Sequence, residues 1–403
     1  MAARKACGGA LMRPLTPKSP QWDIFCRVID NFGDIGVSWR LARILAYDFG
    51  QPVRLWVDNV HALAQLEPAF FAQHRTADQT PTHAPIEVIP WTHPAPPILP
   101  APFVIEAFGC TLPSDYQARM PGRTVAWFNL EYFSAEAWVE GCHALYSPEA
   151  NGLAKQFVFP STLPTAGGLL CETSLHPERE RFMHDADERA RWAAHWQIPL
   201  PQTQGLSLLL FGYENAALPL LIGELQALKA PPVTLYIPEG RLLSSAAQAV
   251  NQPKLVAGQT LALGNLTLHI LPFLPQAQFD RLLWLCDINF VRGEDSLVRA
   301  LWAGKPLIWQ IYPTEDHAHW AKLNALLDSI SHELSPESRA AWHRINHAWN
   351  QQTLSPGDWQ RFISALPELS LHAERTRLTL RAQTELASWL VKTAFERLQC
   401  ATN

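Results

Sequence analysis

Apolar runs of strand length recur along this chain with helical patterns between them, and that alternation restricts the fold more than any other feature. Leu206 to Phe211 (LSLLLF) is a continuous apolar run. Such a strand must be covered on both faces, as in a parallel sheet. Further strand candidates follow at Val233 to Ile237, Leu266 to Leu271, Asp287 to Val291 and Pro306 to Ile311. Helical patterns occupy the intervals at 218–228, 276–286, 296–302 and 317–327. Repeated βα units predict a doubly wound sheet with right-handed crossovers.

The N-terminal half carries the same alternation. Strand-like segments lie at Trp22 to Ile29, Val53 to Val57, Ile86 to Ile89, Phe103 to Phe108 and Thr124 to Phe128. A helix is expected over Val37 to Phe49, with Val37, Leu41, Ile44 and Leu45 on one face, and another near Asn59 to Leu66. The Pro-rich stretch His93 to Pro102 reads as a surface loop. Pro160 to Gly168 marks a boundary, the charged run Glu178 to Arg191 reads as a solvated helix, and Ala373 to Leu398 is strongly helical. We therefore expect a disordered leader over 1–21, a Rossmann-like domain over 22–175 completed by a C-terminal helix at about 380–403, and a second over 200–370. Two such α/β halves facing across a cleft suggest the GT-B architecture. The pattern gives an architecture and no reaction.

A length of 403 residues suits two domains of ordinary size, and 48% hydrophobic with 17% charged residues describes a globular chain with ample core. A formal charge of −5, with no Lys/Arg-rich block, argues against a nucleic-acid partner. Seven scattered cysteines without a CxxC pair fit free thiols in a reducing cytoplasm better than a disulfide framework or a zinc site. No apolar stretch reaches membrane-spanning length, and the first residues lack a secretory signal's hydrophobic centre.

Four clusters fall at predicted strand ends, where open α/β sheets place their chemistry. The first is Asp30-Asn31-Phe32-Gly33-Asp34-Ile35-Gly36, in which Gly33 and Gly36 permit a tight turn and close approach to a ligand. An Asx turn or a helix N-cap explains one of its aspartates easily and both less easily. The second is Arg292-Gly293-Glu294-Asp295-Ser296, at a helix N-terminus suited to phosphate. Arg292 would supply a planar bidentate donor and Ser296 a hydroxyl. The same acids and serine also suit a plain helix start, and the two readings stand level. The third, Phe211-Gly212-Tyr213-Glu214-Asn215, offers a tyrosine that could donate to phosphate. The fourth joins Phe273 and Gln276 to Phe279, an aromatic plate and an amide suited to a nucleobase, although each phenylalanine alone reads as core. No Walker A, GxGxxG, HExxH or GxSxG motif is present.

The strings DIFCRVIDNFGDIGVSWRLARILA, WFNLEYFSAE, FGYENA and FVRGEDSLVRALWAGKP closely resemble the bacterial protein-arginine rhamnosyltransferase family (EarP) from about Trp22 to the C-terminus. The resemblance implies a GT-B enzyme that moves L-rhamnose from dTDP-β-L-rhamnose to an arginine of translation elongation factor P. It implies inversion, no metal and no cofactor, with the modified factor activated for rescue of stalled ribosomes. It makes Asp30, Asp34 and Glu294 essential, the two aspartates on the acceptor side with Asn31, Phe32 and Gly33 beside them. Phe273, Gln276 and Phe279 match a thymine pocket. Tyr213, Arg292 and Ser296 match diphosphate and nearby contacts, Phe211 a donor-side position, and Gly293 and Asp295 complete the RGEDS motif. No departure within these motifs questions activity.

A guanidinium is protonated and delocalised, with a pKa above about 12, so it is a poor nucleophile in water. Two carboxylates can hold it, align one nitrogen and accept its proton. Asp34 is assigned the general base and Asp30 the orienting partner, an order the sequence leaves open. The rival readings are another GT-B nucleotide-sugar enzyme, with a small-molecule acceptor or as an epimerase, and a non-catalytic nucleotide-sugar-binding module.

Overall fold

The computed structural model describes residues 21–29, 32–73 and 85–402. Its first sheet uses β1 (Trp22–Cys26), β2 (Val53–Val57), β3 (Ile86–Pro90), β4 (Phe103–Ala107), β5 (Ala126–Leu130), β6 (Tyr146–Pro148) and β7 (Ala154–Val158). Their order is β3-β2-β1-β4-β5-β7-β6, parallel except for β6 at the edge. In register, Trp22 lies between Val53 and Phe103. The second sheet uses β8 (Leu206–Leu210), β9 (Val233–Pro238), β10 (Thr260–Leu263), β11 (Leu266–Leu271), β12 (Ile288–Arg292) and β13 (Leu307–Gln310). Their order is β10-β11-β9-β8-β12-β13, again parallel save for the edge strand β10. The continuous apolar strands are buried along their length, as coverage on both faces requires.

Each sheet reverses direction once, between β1 and β4 in the first and between β8 and β12 in the second. Loops leaving the carboxyl ends of such strand pairs open into a crevice. The segments that follow those strands include Phe32–Gly36, FGYEN and RGEDS. The chain order thus places each of these segments at a crevice of its own sheet, and contacts between the domains, such as Gln276 to the Gly36 carbonyl, join the two crevices into one cleft.

Several boundaries move. The second helix of the charged run begins at Asp185, whose side chain accepts from the Glu188 amide, so one expected helix is two, Leu175–His184 and Ala186–Trp196. The run is also not simply solvated, because Arg179 is buried and donates to the Ala303 carbonyl. The expected C-terminal helix likewise divides into Asp358–Arg381, which packs with the second sheet's helices, and Leu386–Thr402. The latter buries Leu386, Leu390 and Ala394 in the first sheet's core. Gln21, placed in the leader, instead bonds to Pro52 and accepts from Phe103 at the head of the sheet; residues 1–20 lie outside the described residues.

The chain crosses between the sheets twice, and the crossings touch. Gly168 has φ +75°, and a Cβ there would sit 1.9 Å from the Thr384 carbonyl oxygen. The PSTLPTAGG boundary thus needs its last glycine for close packing of two strands of chain. Leu169 and Leu170 beside it enter the two different cores.

Candidate active site

The helix after β1 spans Gly33–Arg43 and starts four residues earlier than its apolar periodicity predicts, which places Asp34 in its first turn. A carboxylate is favourable there against the helix dipole. Asp34 serves as neither N-cap nor Asx turn. Its Oδ2 accepts the Ile29 N–H at 2.8 Å and its Oδ1 accepts the Tyr132 hydroxyl at 3.3 Å. Asp30 and Asn31 lie outside the described residues.

The RGEDS segment divides its labour. Glu294 occupies the N-cap position without making a side-chain cap. Its Oε2 accepts the Phe133 N–H at 2.8 Å and its Oε1 accepts Lys322 Nζ at 2.6 Å. Asp295 faces the other domain, accepting Arg40 Nε at 2.7 Å and Gln276 Nε2 at 3.2 Å. The Ser296 hydroxyl donates to the Arg292 carbonyl one turn back, so it is already engaged. Gly293, at φ +64°, accepts Trp309 Nε1 through its carbonyl. The helix-start reading therefore fails for Glu294 and Ser296 as caps, since the one makes no side-chain cap and the other donates to a carbonyl, and it holds only for the charge of Asp295 in the first turn.

Arg292 stands with its guanidinium carbon 5.0 Å from the Phe211 ring centre and 4.6 Å from that of Tyr213. Its Nε is buried without a hydrogen-bond partner. The two rings fix the guanidinium plane and leave donors for an anion. Phe279 packs edge-on to Phe211 at 4.9 Å, and Phe273, 37% exposed, meets Phe32 of the opposite domain at 5.2 Å. These residues, with Gln276 and Gly33, line one cleft with about 720 Å³ of space, part of it open to solvent.

Gln276 bridges the two domains, donating through Nε2 to the Gly36 carbonyl at 3.0 Å as well as to Asp295. Its buried Oε1 has no partner and is an acceptor on the cavity. Gly36 corrects the sequence reading. It is an ordinary helical residue whose missing Cβ, 3.0 Å from Gln276 Nε2, admits the neighbouring domain and no ligand.

A second cavity, with about 1390 Å³ of space partly open to solvent, lies on the Asp34 side and includes Tyr132, Phe108, Glu136, Tyr312 and Lys322. Tyr132 stacks on Phe108 at 4.6 Å and 20°. Both cavities are bounded by Gly33, Gly293 and Glu294. Tyr132 and Lys322 escaped the sequence reading. Tyr132 falls within the WFNLEYFSAE string just past β5, a position that could have flagged it. Lys322 sits in the helix Ala318–Ser331 and has no local signature.

Burial raises the Glu294 carboxyl above its ordinary range, Lys322 and the Phe133 amide pull it back, and the Asp34 charge pushes it up again. Burial, Asp34 and Glu294 all hold the Tyr132 phenol protonated, so it acts as a donor to Asp34.

Behind the cleft a buried ion cluster joins the domains. Arg40, from the first, reaches Glu172 at 3.1 Å and Asp280 at 3.2 Å besides Asp295. Arg299 pairs with the same Asp280 and Glu172, each at 2.6 Å. Burial opposes the Arg40 charge, but Asp280, Asp295 and Glu172 outweigh it and leave the guanidinium firmly protonated. This explains Asp295: its charge is spent on holding the cleft together.

Among the described residues, no group of three or more His, Cys, Asp or Glu side chains comes together as metal ligands, and no helix is long and apolar enough to cross a membrane.

Comparison with known proteins identifies the family. Residues 22–395 match the family model described as Elongation-Factor P (EF-P) rhamnosyltransferase EarP. The protein-arginine rhamnosyltransferase of Pseudomonas putida is 43% identical over 374 residues, 92% of this chain and 97% of that relative. That of Neisseria meningitidis serogroup B is 36% identical over 341 residues, covering 83% and 85%. A solved structure concerned with EarP-mediated arginine glycosylation of translation elongation factor EF-P superposes with a TM-score of 0.65 at 31% identity, covering 92% of this chain and 97% of that one. A UDP-GlcNAc 2-epimerase from Neisseria meningitidis superposes with a TM-score of 0.53 at 11% identity, covering 93% and 99%; that likeness shows the fold alone. The chain accordingly belongs to the EarP family of EF-P rhamnosyltransferases and is, by class, a protein-arginine rhamnosyltransferase on the GT-B fold.

Proposed function

We propose that this enzyme transfers L-rhamnose from dTDP-β-L-rhamnose to one arginine guanidinium of elongation factor P, with inversion at the anomeric carbon, without a metal, in the cytoplasm. The observation that carries the reading is the wall shared by the two cavities at Gly33, Gly293 and Glu294. A donor seated on the Arg292 side and a guanidinium seated on the Asp34 side would meet there from opposite faces. Approach from opposite faces in one displacement gives inversion.

On the donor side, the thymine would rest against Phe273 and Phe279, with its imide N–H directed to the unpartnered Gln276 Oε1. Arg292, held between Phe211 and Tyr213, would neutralise the departing diphosphate, with the backbone amides at the helix N-terminus adding to it. The Ser296 hydroxyl would have to leave the Arg292 carbonyl before it could contribute.

On the acceptor side, Asp34 would accept the guanidinium proton, with its carboxylate held by the Ile29 amide and the Tyr132 hydroxyl. Asp30 and Glu294 would complete the anionic clamp that turns one nitrogen toward the sugar. A polar clamp of this kind supplies alignment and charge at once.

The test is the intact mass of elongation factor P after incubation with this protein and dTDP-rhamnose in excess chelator. A gain of one deoxyhexose, confined to arginine by fragmentation, is expected. An unmodified factor with the donor intact would overturn the reading, and transfer abolished by the chelator alone would overturn its metal-free part.

A further inference from the structure

We propose that Lys322 is a positioning residue for the transfer, holding the Glu294 carboxylate ionised and fixed at the wall between the two cavities. The inference rests on the reading of Glu294 as part of the transfer site.

Two donors from two domains determine where that carboxylate points. The Phe133 amide reaches Oε2 from the first domain, and Lys322 Nζ reaches Oε1 from the second. Glu294 is thus aligned only when the domains are together. The ammonium also stands 5.6 Å from the centre of the Tyr132 ring, whose hydroxyl donates to Asp34. One cation therefore touches one acid directly and lies over the ring whose hydroxyl serves the second.

The surroundings press Glu294 toward its neutral form. Asp34, from the helix after β1, and Glu131, from the end of β5, add negative charge, and the Tyr132 phenol stays protonated. Adjacent Asp295 is committed to Arg40, while Arg292 points between its two rings. Arg241, Glu136 and His319 line the same acceptor cavity. Among the described residues, Lys322 is the positive charge in contact with the carboxylate. A protonated Glu294 could neither attract a guanidinium nor share its proton, so losing the ammonium would disable the site without removing the acid. Most partly exposed ion pairs contribute little; this one differs in that its acid stands at the wall between the two cavities.

The experiment compares kcat/KM for the protein acceptor against pH in wild type, Lys322→Met, Lys322→Gln, Lys322→Arg, Glu294→Gln and the Lys322→Met/Glu294→Gln double variant. Removing an opposite charge in contact should move the acid limb upward by ~1–3 pH units and lower neutral-pH kcat/KM by about tenfold or more. Lys322→Arg, which keeps the charge, should hold the limb near its wild-type position. In the Glu294→Gln background, Lys322→Met should change kcat/KM by less than about twofold, since coupled residues are not additive. An unmoved limb in Lys322→Met and Lys322→Gln, or an equal penalty in both backgrounds, would overturn the proposal. Should Lys322→Met lose its thermal transition, Lys322→Gln removes the same charge with a polar side chain, and its pH profile decides the matter in the same way. A wild-type enzyme that fails to modify the factor at every pH would refute the proposed function instead.

Discussion

Arg40→Met removes a guanidinium that the first domain inserts into the second. Five charges meet there: Arg40 and Arg299 against Glu172, Asp280 and Asp295. The substitution changes the cluster from one net negative charge to two. Asp280 and Glu172 keep Arg299, whereas Asp295 keeps only the Gln276 amide at 3.2 Å. Breaking a buried pair costs 3–5 kcal/mol in general, and the surviving partners put this case at the low end, about 3 kcal/mol. At ~1.4 kcal/mol per tenfold, separation of the domains should become about 100-fold more frequent. A two-domain chain need not unfold in one step, so a melting temperature is a poor measure of this. Amide hydrogen exchange resolves it locally. Protection should fall about 100-fold at the interface amides, such as Gly36, Phe279 and Val298, while β2 and β4 deep in the first sheet keep theirs. Unchanged protection at the interface, or a uniform fall along the chain, would refute the assignment of the cluster as an interdomain latch.

Gly36→Ala places a Cβ 3.0 Å from Gln276 Nε2, which its bonds to the Gly36 carbonyl and Asp295 hold in place; overpacking of ~1–3 kcal/mol should outweigh the ~1 kcal/mol that alanine gains over glycine in a helix, so exchange protection at the interface should fall while α-helix content by circular dichroism stays constant. Phe273→Ala should weaken dTDP binding by roughly tenfold in calorimetry, since aromatic stacking on a base is worth ~1–3 kcal/mol, and leave association with elongation factor P unaltered. Acid should loosen the latch. Burial alone would raise the Glu172 carboxyl, but Arg299 and Arg40 outweigh it and hold it below its ordinary range. Its stabilisation is therefore complete above the unfolded value of about 4.3 and drains away as pH falls below that, so interface protection should decline from about pH 4 downward.

Much of this architecture was legible because strands buried on both faces must be apolar throughout. Leu206–Leu210 and Val233–Pro238 needed no partner information to be placed. The edge strands β6 and β10, and β7 beside β6, were missed, being partly exposed with no continuous apolar run to betray them. The helix Pro336–Gln351 was missed as well, although Ser335 caps it and Pro336 opens it in the usual manner. At the site, strand-end position brought Asp34, Arg292 and Tyr213 to one cleft, and it cannot say which neighbour each side chain will meet. Gly36 looked like a ligand-side residue, but domain packing claims it, and Asp295, which lines the donor cavity, also spends its charge on Arg40. Lys322 was invisible for the complementary reason. Its partner Glu294 is 28 residues away, and no pattern in a single sequence links a mid-helix lysine to an acid on another loop.

The central claim is that Asp34 takes the proton from an arginine held against the donor's anomeric carbon. Single-turnover transfer by Asp34→Asn, with dTDP-rhamnose affinity measured on the same protein, tests it most directly. Asparagine can still accept the Ile29 amide, so the loop should persist while the base is lost. The account predicts a fall of ~10²–10⁴ in the transfer rate with donor affinity retained. A transfer rate equal to wild type would contradict it.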